Sequence, residues 1–508
     1  MEIFNRKALI IGIDGATWKT FNELIEKDYM PYLKSLIENS KIGSIKSTIP
    51  PISPAAWATI QTGKDAINMN IYEFYCFDKI TKNIKIVNSN FLDNTIWKIL
   101  SKVGKRIAVI NVPMTYPPKP INGYIISGIL TPSLDADFTY PAYLKFEILK
   151  KIPDYQLHYS EDVRYGNPHY DIDGFIKERI KNIKDRTKVC VWLLNNFKLD
   201  ILMVNFQAND ILQHVFWGYM NKGHELYDEN IKTFIFKNFY KTLDFCIEVI
   251  REEFIRNSKS NLLTMIISDH GCETHNKRFF LGDWLVRNRF LILKTNILKQ
   301  IIRSKIKNYF LKLESSLFNI KLLNFLKNFE FKFKSKEKGE GNRKFIQEIV
   351  DWKKSLAFSL GISLYGLIFI LKEGESKLKI KNYIKKKLLQ LRDPENNKLL
   401  VKRIYEKEEL YRGHEPDLIP DLIIQPNSGY SFTGLFQNVK ELFQKIDKRF
   451  DFAIGKHDEE GILIINGEGI NPSKINDASL KDIVPTLLKY FGLPIPKEID
   501  GKPLKIYD

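Results

Sequence analysis

A-L-I-I-G-I-D-G (Ala8–Gly15) is a strand-length apolar run that ends on a carboxylate and a glycine. Directly after it, Trp18 to Asn39 carries Phe21, Leu24, Ile25, Leu33, Leu36 and Ile37 at helical spacing, so the stretch predicts a strand, a turn and a helix. The unit recurs. Strand-type runs lie at Arg106–Ile110, Tyr124–Ser127, Asp200–Phe206, Leu262–Ser268, Gly366–Leu371, Leu422–Gln425 and Ile462–Ile465, and helical stretches such as Thr95–Val103 and Ile176–Leu194 separate several of them. This alternation predicts a three-layer α/β/α sandwich around a largely parallel sheet, with a helical insertion. In such a sheet the C-terminal ends of the strands converge on one crevice, where ligands bind.

At 508 residues the chain exceeds one ordinary core. The expected division is residues 1–290 as the first part of the core, with cap elements inserted around 65–175. A Lys/Phe-rich helical insertion follows at 291–343, and residues 344–508 complete the core. Hydrophobic residues at 44% and charged residues at 27% suit a soluble globular chain, and no run approaches the roughly 18 apolar residues of a membrane span. The net charge of +18 favours polyanionic partners such as nucleic acid or an acidic membrane surface. The excess lysine is scattered among isoleucine and asparagine, however, and no compact basic motif stands out, so charge does not name the substrate. Cys76, Cys190, Cys246 and Cys272 lie far apart without a C-x-x-C pair, which predicts neither a disulfide framework nor a thiolate zinc site. A reduced, cytoplasmic setting is expected, and the first apolar run is too short for a signal segment.

Four stretches offer metal-binding side chains: Asp14; Asp210 and His214 in D-I-L-Q-H; Asp269 and His270 in S-D-H-G; and His457 in G-K-H-D-E. Asp210 and His214, four residues apart, share one face of a helix. Asp269 and His270 are adjacent and can face one ion only if the backbone turns, which Gly271 permits. Each has an ordinary structural account: a surface pair, a capping aspartate, a hydrogen-bonded loop histidine. Together, three carboxylates and three imidazoles suit zinc, manganese or iron better than calcium, and suffice for two ions. Prolines 50, 51 and 54 hold the chain extended around Ser53, which sits just before a helix expected from Ala55 to Thr62.

The order Asp, Ser, Asp-x3-His, Asp-His-Gly, His resembles the alkaline phosphatase superfamily, within it the type I phosphodiesterase/nucleotide pyrophosphatase family. The resembling motifs are I-I-G-I-D-G-A-T-W (Ile10–Trp18), S-T-I-P-P-I-S-P-A-A-W-A-T-I-Q-T-G (Ser47–Gly63), D-I-L-Q-H, S-D-H-G and G-K-H-D-E-E-G (Gly455–Gly461). The resemblance implies one divalent ion held by Asp210, His214 and His457 and another by Asp14, Asp269 and His270. Ser53, touching the second ion, would be the nucleophile that forms a phosphoseryl intermediate on a small phosphate ester. Zinc is the first expectation for both ions. The implied function is metal-dependent hydrolysis of phosphodiesters or nucleotide pyrophosphate bonds. Phosphotransfer or phosphomutase chemistry at the same site is the alternative, and a non-catalytic metal-stabilised binding protein is a second. Most relatives carry threonine where Ser53 stands. The chain also lacks the family's Pro, His and Gly at Ala66, Met69 and Asn70, and has Phe74 near the position of a phosphate-binding asparagine.

Overall fold

A computed structural model describes residues 6–157, 171–258, 261–294, 348–361, 364–411, 416–449, 451 and 453–507. The expected insertion at 291–343 falls almost wholly outside the described residues. Two compact units form: Met1–Glu73 with Val87–Asn276 and Ile446–Asp508, and Phe74–Ile86 with Lys277–Lys445.

The first unit is built on a nine-stranded sheet. Across it the strands run Ser473–Ser479, Lys41–Lys46, Glu460–Asn466, Leu262–Ile267, Lys7–Ile13, Ile201–Phe206, Ile107–Val112, Gly123–Ser127 and Thr139–Tyr140. Lys7–Ile13 is central and parallel to both neighbours, Ile11 lying opposite Val204 on one side and Ile266 on the other. Glu460–Asn466 runs antiparallel between Leu262–Ile267 and Lys41–Lys46, and the two-residue strand Thr139–Tyr140 closes the far edge antiparallel.

The period-two alternation of the first strand decides the layering. Leu9, Ile11 and Ile13 enter one core, packed under Phe21, Leu33, Ile183, Val215 and Leu243 from helices on that face. Ala8 and Ile10 enter the other, under Trp57, Ile60, Leu100, Val484 and Leu487. With both faces covered, the central strands are apolar on both sides, which is why Ile201–Phe206 and Leu262–Ile267 are buried at every position. The three-layer expectation holds for this unit.

Three local details differ from the sequence reading. The helical stretch Trp18–Asn39 is two helices, Trp18–Glu26 and Pro31–Glu38. The chain turns between them at Asp28 (φ 60°), and Pro31 takes a first-turn position where its missing N–H costs nothing. The helix expected from Ala55 begins at Ser53, with Pro54 in its first turn for the same reason. Gly366–Ile370 and Leu422–Pro426 are strands, but they belong to the second unit, in a four-stranded antiparallel sheet ordered Ala357–Leu360, Gly366–Ile370, Leu422–Pro426 and Val401–Glu406. An apolar run without alternation carries no address for the sheet it will join. The helix Gly374–Leu389 also belongs to this unit. No described helix is long and apolar enough to cross a membrane.

Candidate active site

All seven side chains singled out in the sequence lie in the first unit, in segments that meet at the C-terminal edge of its parallel strands. Asp14 follows the central strand directly. Asp210 and His214 lie on the helix Ala208–Met220, which starts two residues after the neighbouring strand Ile201–Phe206 ends. Gly15, at φ 70°, brings the loop against that helix so closely that an added Cβ would stand 3.0 Å from Asp210 Oδ1 and 3.1 Å from its Cα. On the other side Leu262–Ile267 ends and the chain turns through Ser268, Asp269 and His270 before Gly271–Thr274 pairs antiparallel with Gly455–Asp458. That ladder sets Cys272 opposite His457 and so delivers His457 to the site. Ser53 heads the helix Ser53–Thr62, which has no side-chain cap.

The geometry is close. Ser53 Oγ stands 3.4 Å from His270 Nε2. The same nitrogen is 3.6 Å from Asp14 Oδ1 and 3.3 Å from Asp269 Oδ2. Asp210 Oδ1 lies 3.3 Å from His214 Nε2 and 3.5 Å from His457 Nε2, and those two nitrogens are 2.9 Å apart. The His270 and His457 rings stack with centroids 3.5 Å apart. Two triads have ligand atoms mutually within 4.8 Å: Asp14, Asp269 and His270; and Asp210, His270 and His457. His270 is common to both.

The backbone fixes the imidazole tautomers. His214 Nδ1 faces Gly455 O at 2.7 Å, His457 Nδ1 faces Pro51 O at 2.8 Å, and His270 Nδ1 faces Gly271 O at 3.0 Å. A carbonyl can only accept, so each Nδ1 carries the proton and each Nε2 turns a lone pair into the cluster. The Nε2 atoms of His214 and His457 thus face each other at hydrogen-bond distance. Burial lowers the proton affinity of His270. It lowers that of His457 further, with help from the neighbouring His270 and His214. Neutral rings of this kind could serve as metal ligands.

The carboxylates show the complementary strain. Burial, then the charge of Asp210, pushes Asp14 up to about 7 against the hydrogen bonds it accepts, and burial with Asp14 and Asp210 raises Asp269 well above the ordinary range. Asp14 Oδ1 and Asp269 Oδ2 are buried and accept no hydrogen bond. Carboxylate oxygens left bare in a dry pocket, facing imidazole lone pairs, leave the centre of the cluster short of positive charge. A divalent cation fits that deficit, and the mixed oxygen/nitrogen donor set suits a transition metal.

The sequence reading missed the side chains that hold Asp14. Its Oδ2 accepts from Trp57 Nε1 and from Asn205 Nδ2, both at 3.0 Å, which turns Oδ1 inward. Asn209 Nδ2 reaches Asp14 O at 2.8 Å, and Gln213 Nε2 reaches Gly15 O at 2.6 Å. All three amides are fully buried. Asn205 was discoverable: it is the one polar residue in the otherwise apolar strand Ile201–Phe206. An added Cβ at Gly12 would overlap the Trp57 ring, so the glycine is what lets the indole reach Asp14.

Comparison with known proteins bears on the fold and the family. The murine ectonucleotide pyrophosphatase/phosphodiesterase 5, solved as an inactive variant with AMP, superposes with a TM-score of 0.54 at 13% identity, covering 97% of this chain and 96% of that one. The human counterpart gives 0.53 at 13% identity, over 98% and 97%. Phosphonoacetate hydrolase from Sinorhizobium meliloti 1021, solved with phosphonoformate, gives 0.57 at 13% identity, over 96% and 95%. At such identities these structures speak for the fold. No curated protein sequence matches the chain. The model of type I phosphodiesterase / nucleotide pyrophosphatase, a metal-dependent family, matches residues 8–449, which is most of the chain. The chain therefore belongs to the type I phosphodiesterase/nucleotide pyrophosphatase family, and is a hydrolase of phosphoric ester bonds.

Proposed function

We propose that the protein hydrolyses small phosphate esters, phosphodiesters or nucleotide pyrophosphates first, through a covalent phosphoseryl intermediate on Ser53. The observation that carries this reading is the position of Ser53 Oγ, 3.4 Å from His270 Nε2 in a cluster with two bare carboxylate oxygens. A purely structural cluster has no use for a buried hydroxyl at that point.

Asp210, His214 and His457 would hold one divalent ion and Asp14, Asp269 and His270 the other, zinc being the first candidate for both. Bound ions would supply the positive charge that a phosphoryl group requires as negative charge builds on its oxygens. Ser53 Oγ attacks phosphorus in line with the departing ester oxygen, and water then cleaves the phosphoseryl ester. The first turn of the helix Ser53–Thr62 has no side-chain cap, so its free backbone N–H groups and the positive end of its dipole remain for a phosphate oxygen. Trp57 and Asn205 hold Asp14 with Oδ1 facing inward.

Acid quench during turnover of bis(4-nitrophenyl) phosphate, followed by peptide mass spectrometry, tests the intermediate: a 4-nitrophenyl phosphoryl group on the Ser53 peptide is expected, since one nitrophenolate leaves in the first displacement, and steady turnover with no trapped adduct on wild type and full activity in Ser53→Ala rejects it. Isotope-labelled water separates hydrolysis from transfer, because phosphate released by hydrolysis takes up one labelled oxygen. A panel of an aryl phosphodiester, a phosphomonoester, a dinucleotide and phosphonoacetate, with metal content measured on the protein as purified, assigns the substrate class and the ion.

A further inference from the structure

The parallel strands of the first unit begin on cations. Lys7 opens the central strand Lys7–Ile13, Arg106 immediately precedes Ile107–Val112, and Lys198 lies three residues before Ile201–Phe206. Backbone hydrogen bonds from Ala8 N–H to Asp200 O and from Ile201 N–H to Arg106 O set Lys7, Asp200 and Arg106 in one row across three adjacent strands. Arg106 and Lys198 are exposed and Lys7 is half-buried, and none of the three forms an ion pair among the described residues. Asp200, the carboxylate of the row, accepts through Oδ2 from the backbone N–H of Arg106 at 2.8 Å. Burial lowers the proton affinity of Lys7 against the pull of Asp200, and Lys105 and Lys198 lower it further.

An aromatic patch continues this edge. Tyr124, close enough to Arg106 to feel its charge, packs on Phe197 with ring centroids 4.4 Å apart, and Phe197 meets Trp192 edge-on at 5.9 Å. The Tyr124 hydroxyl shares a hydrogen bond with that of Tyr143, which opens the helix Tyr143–Lys151. Phe146, one turn on, shares the outward face with Tyr143, while Leu144 and Ile148 are buried. Tyr143 is 50% exposed and Phe146 70%. Lys150 follows on the same face, Lys151 Nζ stands 5.3 Å over the Trp192 ring, and Glu147 is the one acid of the helix. Two aromatic side chains held out together gain nothing from water, and the cations beside them gain from an anionic neighbour. A bilayer interface offers both at once: an apolar layer for the rings and phosphates above it for lysine and arginine. A nucleic acid backbone offers the charge but no apolar layer for Phe146.

We propose that this edge of the first unit docks on the surface of a bilayer containing anionic phospholipid. Tyr143 and Phe146 enter the boundary between headgroups and acyl chains, while Lys7, Arg106 and Lys198 meet the headgroup phosphates. The candidate active site lies at the opposite, C-terminal ends of the same strands, so docking leaves that crevice open to soluble substrate. The surface does not depend on the Ser53 reading.

Co-sedimentation of the full chain with vesicles tests it, comparing phosphatidylcholine alone with phosphatidylcholine and phosphatidylglycerol mixed at about three to one. We expect binding to the anionic vesicles, weakened about tenfold or more by Arg106→Gln with Lys198→Gln, and likewise by Tyr143→Ser with Phe146→Ser. Added salt weakens it as well. Lys237→Gln with Lys241→Gln removes the same charge from exposed positions at the start of the helix Lys241–Ser258, whose other end leads back to the basic edge, and leaves binding unchanged. Arg106→Lys with Lys198→Arg keeps the charge and preserves binding, which separates loss of the surface from loss of the fold. Equal binding to neutral vesicles, an equal loss in the Lys237/Lys241 variant, or full binding in the Tyr143/Phe146 variant overturns the proposal. Binding to a DNA oligonucleotide with none to vesicles assigns the edge to nucleic acid and overturns it too.

Discussion

Replacing Asp14 by asparagine should stabilise the metal-free protein at alkaline pH while weakening its hold on metal. Asp14 is fully buried and its carboxyl is pushed from 3.8 to about 7. Between those values the unfolded chain has released the proton and the folded chain retains it. The contribution is therefore fully present below the unfolded value and is lost as pH rises through about 7. At about 1.4 kcal/mol per pH unit, the interval amounts to on the order of 4 kcal/mol. Asparagine carries no charge, so the loss disappears. Its side-chain oxygen can still accept from Trp57 Nε1 and Asn205 Nδ2, and its NH2 then stands where the bare Oδ1 stood, 3.6 Å from the His270 Nε2 lone pair. The rise to about 7 already includes those two hydrogen bonds, which oppose it, so the variant should be favoured by about 4 kcal/mol above pH 7. The assay is urea unfolding of chelator-treated wild type and Asp14→Asn from pH 5 to pH 9, repeated with zinc or manganese in excess. At pH 5, about one unit above the unfolded value, the variant's advantage should be only about 1–2 kcal/mol. By pH 9 the variant should be the more stable, with a slope reduced rather than abolished because Asp269 remains. Added metal should raise the midpoint of the wild type much more than that of the variant. A metal-free wild type equally stable at both ends of the range, or a variant less stable at pH 9, would refute the claim that bare carboxylate charge is what the cluster carries.

Ser53→Ala should reduce phosphodiester turnover by about a thousandfold or more while leaving bound metal in place, and Ser53→Thr, which keeps the hydroxyl, should retain measurable turnover. Asp210→Asn and His457→Ala should each lower metal content measured by elemental mass spectrometry, and unchanged content rejects those two ligand assignments. Gly12→Ala should destabilise the first unit by about 1–3 kcal/mol in chemical unfolding, because the methyl group overlaps the Trp57 ring, and should weaken metal binding through Asp14. Trp57→Phe keeps most of the packing and removes one donor to Asp14 Oδ2; a metal affinity equal to wild type would show that Asn205 alone suffices to orient the carboxylate.

The sequence by itself determined the layered α/β architecture, since a strand such as Ala8–Ile13, buried on both faces and followed by helical spacing, has few other ways to bury its side chains. It also named every acid, imidazole and hydroxyl of the candidate site, because those residue types stand out against apolar or glycine-rich surroundings. Tertiary structure decided the rest. The pairing of Cys272 with His457 sets His457 against His270 across 187 residues of sequence, a long-range register that local spacing does not encode. The Nδ1 contacts to Gly455, Pro51 and Gly271 fix which nitrogen each ring presents, and those carbonyls belong to the backbone, where side-chain identity leaves no trace. Gly366–Ile370 and Leu422–Pro426 show the same limit in the fold: their apolar runs predict strands, but edge hydrogen bonds, open to any partner, decide which sheet receives them. Asn209 and Gln213 look unremarkable in the chain, and they, like the more conspicuous Asn205, become supports for Asp14 only when the strand Ile201–Phe206 and the helix after it lie beside the first strand. Charge and donor type are properties of residues and can be read singly; orientation and desolvation are properties of neighbourhoods, and only the folded chain supplies them.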